Sequence, residues 1–570
     1  SPNSSLHSQV DDRVLDIRFS FHGLPAGTVA EPCAGVSPLA AKHDEWMRRL
    51  AHHPDRLLVA LVSDTLRHGA HLCVDESAPA DCSCENHGSA TREPAAVDAL
   101  LEKEQKLGRM SSFTVEPPFE NLRVVPLGLV EKQTTDGSKA FRLVYDATFG
   151  DSSLNAQTKR LWVKYQAFDR CLDILHEAGA GAMAIKADVK SAFRLVEVMP
   201  RHYRHVGMRW RGRFAYDKVL PFGLRVSPPI WDRFARCICW MIQQTLAASG
   251  AVTYFVDDYL VVIPAGGDAR AARRAILDLL DALGVPVSLD KLEGPTTALT
   301  FVGKQLNTVT QTVSIDEKRR SAVIELIKAT TASQFTTVRK LQSLAGRLAF
   351  VAQVVPPGKP FVSRIFAEIR GRTDNKQKLR LSDDLRQDLL WWTVWLPRWN
   401  GITAISRRSW FTLGHFVCST DACRSGLGAV FDGEFISEAW PEHILQAAMR
   451  GKTLSMPFLE TSAAAIALHA WAPRLAGRRV LFRSDCAATV ALFNSGSTQE
   501  PALARLLRSV GTCCIAYHIE LHAVHVPGVE NVLPDYFSRS HSQSSSSLPP
   551  SEASSLSRRR VNLGAIDLSS

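Results

Sequence analysis

Residues 253–263 are TYFVDDYLVVI. Two apolar runs of strand length flank Asp257 and Asp258, the pattern of a hairpin with two carboxylates at its turn. Like charges set among Tyr254, Phe255, Val256 and Leu260 cost free energy to desolvate unless a cation offsets them. Taken alone, the pair also fits a solvated Asp-Asp turn that closes a hairpin. Upstream, AGAMAIKADVKSAFRLVEV carries Asp188 at the end of another apolar run. Carboxylates on two neighbouring strands are the apparatus of in-line nucleotidyl transfer, in which two Mg²⁺ ions about 3.5–4 Å apart serve the attacking and the leaving oxygen.

Around this hairpin, from Phe113 to about Leu306, short apolar runs alternate with Gly/Pro/Asp turns and helices, which predicts a mixed α/β domain. Residues 315–400 are helix-rich and broken at Pro356-Pro357-Gly358. A third regime opens at His415 with HFVCSTDACRSGLGAVFDGEFISEAW, a strand, a Gly-containing turn and further strands. Before the hairpin region, HDEWMRRLAHHPDRLLVALVSDTL has the apolar spacing of one helical stretch, and PAAVDALLEKEQKLGRM of a second. The last thirty residues are Ser-rich without a repeating apolar face, which predicts a disordered tail. The expected divisions are 1–105, a helical region without an assigned role; 106–314; 315–409; 410–541; and the tail 542–570.

At 570 residues the chain is too long for one ordinary core, and 45% hydrophobic with 22% charged residues excludes wholesale disorder, a collagen or a disulfide scaffold. A formal charge of +10 favours a polyanionic partner, nucleic acid first. No stretch reaches about 18 uninterrupted apolar residues and the first residues lack a hydrophobic signal region, so the expected setting is intracellular, cytoplasmic or nuclear, without a membrane. Twelve scattered cysteines fit reduced thiols. Cys73, Cys82, Cys84 and His87 form the one dense group; the C-x8-C-x-C-x2-H spacing matches no standard zinc template and reads as a polar loop with incidental cysteines.

Four more acids recur with a logic of their own: Asp421 in STDACRSGLGAV, Glu460 in PFLETSAAAIALHAW, Asp485 in LFRSDCAATVALF and Asp535 in HVPGVENVLPDYFSR. Asp421 and Asp485 end or interrupt predicted strands, whereas Glu460 opens a helix and Asp535 lies in one. Such carboxylates converge only in a tertiary site, and four together again demand two divalent cations.

Motif by motif, residues from about 45 to 540 resemble reverse transcriptases followed by RNase H. The resemblance implies a right-hand polymerase (fingers, palm, helical thumb or connection) followed by an RNase H-like α/β domain. VEKQTTDGSKAFRLVYDAT followed by SLN is similar to the fingers hairpin, and by that likeness Lys132 and Arg142 would clamp the triphosphate of an incoming dNTP. ADVKSAFR resembles the first palm motif, with Asp188 and the Val189 carbonyl as metal ligands and Phe193 as the bulky residue that blocks a ribose 2′-hydroxyl. LPFGLRVSPPIWDRF resembles the motif beneath template and nucleotide, with Phe222 and Gly223 at the nucleotide and Pro228-Pro229 opening a helix. FVDDYL corresponds to the family's Y-x-D-D, with Phe255 in place of Tyr; the stacking surface is kept and a hydroxyl lost. Lys291, in LGVPVSLDKLEG, matches the general acid toward pyrophosphate, while a lone Lys after a turn also fits a solvated surface residue. PRHYRHVGMRWRGRFAY, dense in Arg and His, suits either a phosphate-binding face or exposed strand residues.

The same resemblance makes Asp421, Glu460, Asp485 and Asp535 the RNase H metal cluster and His525 its mobile histidine, serving product departure or proton transfer. Cys486 stands where the family commonly has Asn and Pro534 where it has Ala, and the Cys removes an amide from the surroundings of the third acid. The implied cofactor is Mg²⁺, two ions per active site, with Mn²⁺ as substitute; the implied partners are an RNA template, a DNA primer, an RNA–DNA hybrid and dNTPs. LLEKEQKLGRMSSFTVEPPFENLRVVPLGLVEK, LRQDLLWWTVWLPRWNG and the HVPG-x2-N-x3-D-x2-SR ending resemble DIRS-like (tyrosine-recombinase) retrotransposons, with gypsy-like elements as siblings. The alternative function is a decayed or co-opted derivative that binds nucleic acid without catalysis, against which stand acids at all seven expected positions.

Overall fold

The structure, a computed structural model, describes residues 35–75, 84–133, 139–163, 165, 168–399, 403–404, 416–450, 453–541 and 550–563. Helix and sheet are mixed throughout, as the alternation of apolar runs predicts. The chain divides into two compact units, Ser1–Ile174 with Gly181–Val302 and Leu175–Ala180 with Gly303–Ser570.

In the first unit, β1 (Leu127–Gln133) and β2 (Lys139–Tyr145) form an antiparallel hairpin. Next come β3 (Met183–Asp188), the ribbon of β4 (Gly207–Trp210) and β5 (Arg213–Tyr216), and then β6 (Ala251–Phe255), β7 (Asp258–Ile263) and β8 (Glu293–Thr296). Strands β6, β7, β3 and β8 lie side by side in that order, all antiparallel. Five of the six residues of β7 are buried, which is why it reads as a continuous apolar run.

This unit also holds the helices α1 (His43–Arg49), α2 (Arg56–His68), α3 (Pro94–Lys106), α4 (Ser227–Leu246) and α5 (Ala269–Ala282), of which α4 packs on β6 and α5 on β3 and β8. The single helix expected over 43–66 is two: Pro54 supplies no amide hydrogen, and the Asp55 side chain accepts from the Leu58 N–H to cap the second. Leu39, Trp46, Leu58, Val97 and Leu101 belong to the same hydrophobic core as this sheet. Trp46 Nε1 donates to the Leu283 carbonyl at 2.9 Å. Arg194, almost fully buried, donates to Glu104 of α3 and to Asp217, each at 2.7 Å. A buried guanidinium left without those carboxylates would be strongly destabilising, so α3 is bound to the unit by charge as well as by packing.

In the second unit, the hairpin of β9 (Lys304–Asn307) and β10 (Thr312–Ser314) precedes α6 (Glu317–Thr331), α7 (Val338–Ala352), α8 (Lys359–Ile369) and α9 (Asp383–Trp399). A 3₁₀ turn at Pro356–Gly358 separates α7 from α8 at the predicted break. A six-stranded sheet follows, built from β11 (Phe416–Ala422), β12 (Gly426–Phe431), β13 (Glu434–Ala439), β14 (Arg479–Ser484), β15 (Glu520–His525) and β16 (Ser557–Arg558). Its order is β15-β14-β11-β12-β13-β16, with β14 parallel to both β11 and β15. Helix α10 (Met456–Leu475) is apolar nearly all round because it is packed between this sheet and α12 (Pro501–Ala516); α11 (Ala487–Ser495) and α13 (Val532–Arg539) complete the unit. Arg508 of α12 donates to Asp388 of α9 at 3.1 Å, and both are buried.

Within the expected disordered tail, 542–570, the described residues 550–563 are ordered against the sheet. Ser557 and Arg559 donate backbone hydrogen bonds to Gly433 and Phe435, at 3.0 and 2.8 Å, so β16 covers the edge of β13. Leu563 is buried in the core of the sheet unit. Composition misses this because a two-residue strand and one apolar anchor leave no periodic signal.

Candidate active sites

Asp188 ends β3 directly opposite Asp258, the first residue of β7. Asp257 lies in the two-residue turn Val256-Asp257 that joins β6 to β7, where Phe255 pairs with Asp258. Val256 holds φ at +59°, a region that costs a β-branched residue about 1–2 kcal/mol. Trp231 Nε1 of α4 donates to the Val256 carbonyl at 2.8 Å and pins that turn, and the Val189 N–H donates to the Asp257 carbonyl at 2.9 Å. The three carboxyls predicted to act together are thus brought to one end of the sheet. Burial, and then repulsion from Asp257 and Asp188, push Asp258 up to about 6. Burial and the charge of Asp188 raise Asp257 as well.

Asp188 is already partnered. Ser288 Oγ donates to Oδ1 at 2.6 Å, and Lys291 Nζ lies 3.0 and 2.9 Å from the two oxygens. The hydrogen bond to Asp188 raises the Lys291 ammonium. Lys291 is therefore neither a free surface residue nor, in this state, turned to a leaving group.

A cavity of about 240 Å³ opens over these residues, lined among others by Arg142, Asp188, Val189, Phe193, Phe222, Asp257, Ser288 and Lys291. The Arg142 guanidinium lies 5.5 Å from the centre of the Phe222 ring, and the Phe193 and Phe222 rings are 5.6 Å apart. Gly223 has φ +98°, and a Cβ there would meet the Tyr145 carbonyl oxygen at 2.0 Å, so only glycine fits. Asn155 fastens the same loop: its amide donates to the Gly223 carbonyl at 2.9 Å and its oxygen accepts from the Arg225 N–H at 2.7 Å. Lys132 stands on β1 opposite Ala140, and its side chain lies outside the described residues. Phe255 keeps an exposed ring 5.5 Å from that of Tyr165. Trp231 and Ser288 were not foreseen, because nothing in local sequence distinguishes them from core and turn residues.

PRHYRHVGMRWRGRFAY is part buried and part exposed. His202, Tyr203 and His205 are buried, whereas Arg209, Arg211 and Arg213 of the β4–β5 ribbon are exposed. In the cysteine-rich group, Cys84 Sγ donates to the Val124 carbonyl and His87 Nε2 contacts Asp146 at 2.9 Å; Cys82 lies outside the described residues.

In the second unit, Asp421 is the next-to-last residue of β11, beside its partner Gly428, Glu460 lies in the first turns of α10, and Asp485 follows β14. One ligand oxygen from each lies within 4.8 Å of the others. Glu460 Oε2 is buried without a hydrogen-bond partner. Burial first, then Asp421 and neighbouring Cys486 and Asp485, push Glu460 up to about 10. Burial pushes Asp421 up to about 7, against the pull of a 2.6 Å hydrogen bond from Ser538 Oγ. Hard oxygen donors, an orphaned buried carboxyl oxygen and mutual repulsion fit a divalent cation. Asp535, on α13, is paired instead with Arg539 at 2.6 Å and stands outside the triad. Asn531 and Ser538 tie the two ends of α13 to Thr420 and Asp421 of β11. His525 Nε2 lies 3.0 Å from the Asp485 carbonyl oxygen.

Residues 130–306 match the family described as Reverse transcriptase (RNA-dependent DNA polymerase), and this stretch contains the whole Asp188/Asp257/Asp258 constellation. Residues 130–306 thus form a reverse transcriptase domain. It is 24% identical over 165 residues to the Gag-Pro-Pol polyprotein of Human T-cell leukemia virus 3 (strain 2026ND), covering 29% of this chain and 11% of that polyprotein. Protein P of Duck hepatitis B virus (strain United States/DHBV-16) is 23% identical over 251 residues, 44% of this chain and 29% of that protein. The chain therefore spans less than a third of the length of these curated relatives. Among solved structures, a foamy viral protease-reverse transcriptase in complex with double-stranded DNA aligns with TM-score 0.48 at 13% identity, over 89% of this chain and 85% of that one. Another, in complex with an RNA/DNA hybrid, aligns with TM-score 0.45 at 12% identity, over 88% and 64%. Among the described residues no helix is long and apolar enough to cross a membrane.

Proposed function

We propose that this chain is an RNA-directed DNA polymerase of a retroelement, with a second, RNase H-type site that hydrolyses RNA in RNA–DNA hybrids. The observation that carries the polymerase reading is the register of Asp188 against Asp258, with Asp257 in the intervening turn, at a cavity walled by Arg142 and two aromatic rings. Divalent ions such as Mg²⁺ or Mn²⁺, held by Asp188, Asp257, Asp258 and the Val189 carbonyl, would supply charge for a primer 3′-hydroxyl attacking the α-phosphate of a dNTP. Arg142, with Lys132 beside it in the fingers hairpin, would bind the triphosphate, because a fixed guanidinium meets phosphate oxygens in pairs. Phe193 would exclude a ribose 2′-hydroxyl by bulk, and Phe222 with Gly223 would let the nucleotide approach the backbone. Lys291, once released from Asp188, would carry a proton to the departing pyrophosphate.

In the second site, the buried triad Asp421, Glu460 and Asp485 supports the nuclease reading, with Asp535 joining when it leaves Arg539 and His525 acting at the rim. The DIRS-like affiliation rests on the motif pattern alone. RNA template, DNA primer and hybrid would be held largely through phosphates, so affinity should fall steeply with salt. The test is primer extension on RNA and DNA templates, run beside Asp257→Asn and Asp258→Asn. Loss in both variants is expected, and undiminished extension would overturn the assignment. Hybrid cleavage retained in Asp485→Asn would overturn the second.

A further inference from the structure

The Asp188 carboxylate is held by two groups of different character. Ser288 is buried, its Oγ donates to Oδ1 at 2.6 Å, and its backbone N–H donates to the Asp188 carbonyl at 2.8 Å. It is part of the segment that runs beside β3: Val189 bridges Val287, and Lys190 N–H donates to the Pro286 carbonyl at 2.9 Å. Such a contact cannot open without moving the strand. Lys291 is different. Its ammonium lies within 3.0 Å of both oxygens, yet its side chain is 56% exposed on a flexible stem, against 8% for Asp188.

We propose that Ser288 and Lys291 divide the hold on Asp188: Ser288 is a positioning residue that keeps one carboxylate orientation at all times, and Lys291 is a resident counter-cation that a divalent ion must displace. The proposal rests on the polymerase reading, in which Asp188 is a metal ligand. Its physical basis is that a compact ammonium neutralises a buried carboxylate at modest cost because most of its stem stays in water. A divalent ion brings twice the charge to the same oxygens. Ser288 donates only one hydrogen and leaves the other lone pairs of the carboxylate available, so it is compatible with a bound metal. Lys291 occupies both oxygens and is not. Displacement would free the ammonium for other use in the cavity, so loading of the site and release of the proton donor become one event.

The two contacts therefore predict metal affinities that change in opposite directions. The experiment uses the full chain with Asp421→Asn and Asp485→Asn, which silence the second site, and counts free Mn²⁺ by electron paramagnetic resonance during a titration. Ser288→Ala should weaken binding by roughly tenfold or more, as loss of a hydrogen bond to a charged group does, and Ser288→Thr should restore it. Lys291→Met should tighten binding by about threefold, within the range measured for removing one ion-pair partner, while slowing primer extension in the same protein. Melting curves like the parent's would keep both results from being read as misfolding. Unchanged or weakened Mn²⁺ binding in Lys291→Met would overturn the counter-cation role, and unchanged binding in Ser288→Ala would overturn the anchor. A different failure, Mn²⁺ binding that Asp188→Asn does not alter, would sink the polymerase reading itself.

Discussion

Asp188 stands directly opposite Asp258 across β3 and β7, so two carboxylates distant in sequence share one end of one sheet. Nothing in hairpin packing requires this, and burial with repulsion from Asp257 and Asp188 pushes Asp258 up to about 6. An arrangement that is unfavourable for the protein alone becomes intelligible as a site for cations.

The turn between them depends on Trp231. Replacing it with Phe keeps an aromatic ring, though a smaller one, in the buried position and leaves the Val256 carbonyl without its 2.8 Å donor. We expect the rate of single-nucleotide addition to fall about tenfold, as for the loss of roughly 1–1.5 kcal/mol of positioning. Stability should change by less than the rate. A normal rate in Trp231→Phe would show that the turn holds itself.

Phe193 packs against Phe222 at the cavity wall, with ring centres 5.6 Å apart. Phe193→Val should raise incorporation of ribonucleotides relative to deoxyribonucleotides by at least about tenfold, a discrimination of the size steric fit supplies. The check is competitive incorporation at a fixed template base, and an unchanged ratio would remove Phe193 from the nucleotide site.

Glu460 and Asp421 give the second unit a pH dependence with a definite sign. Both folded-state values, about 10 and about 7, lie above those of the unfolded chain. Their stabilising contribution is complete below about pH 4 and is lost as pH rises, through about 7 for Asp421 and toward 10 for Glu460. Without divalent metal, these two groups should lower the melting temperature between pH 5 and 8. Glu460→Gln should flatten that decline, melt at least about 2 °C higher at pH 8, and lose most of the stabilisation that added Mg²⁺ gives the parent. A lower melting temperature for this variant at pH 8 would contradict the assignment of repulsion to the triad.

Removal of the final segment tests the edge strand. A chain ending at residue 549 loses the backbone hydrogen bonds to Gly433 and Phe435 and the buried Leu563. Burial of one leucine alone suggests a loss of roughly 2–3 kcal/mol. The uncovered edge of β13 should also promote association at high concentration. Equal melting of the second unit, with no rise in light scattering, would assign the segment no structural part.

Gly223 offers a test of packing that is independent of chemistry. Gly223→Ala would drive a Cβ onto the Tyr145 carbonyl oxygen and force a side chain to adopt φ near +98°. A loss of at least about 3 kcal/mol is expected by urea unfolding, larger than for a surface glycine.

The legible part of the site was that made of charge in the wrong setting. Asp188, Asp257 and Asp258 each interrupt apolar runs, and Asp421 and Asp485 do the same, so strand ends and acids could be read together. Helix breaks at Pro356-Pro357 and the Pro228-Pro229 helix start were equally visible, because proline acts locally. Ser288, Trp231 and Asn155 carried no such mark. Their importance lies in which oxygen or carbonyl they reach, and that depends on segments far along the chain.

The strand-turn-strand that carries Asp257 and Asp258, the order of helical and sheet regions, and the residue types able to hold cations are all set locally along the chain. These follow from local periodicity and from the cost of placing carboxylates among apolar side chains. Contacts between distant segments make Ser288 and Lys291 the holders of Asp188, pair Asp535 with Arg539 and not with the buried triad, and add a strand from the Ser-rich end. Each of these is a choice between partners of similar chemistry. Spacing along the chain does not rank such partners; distance and burial in the folded chain do.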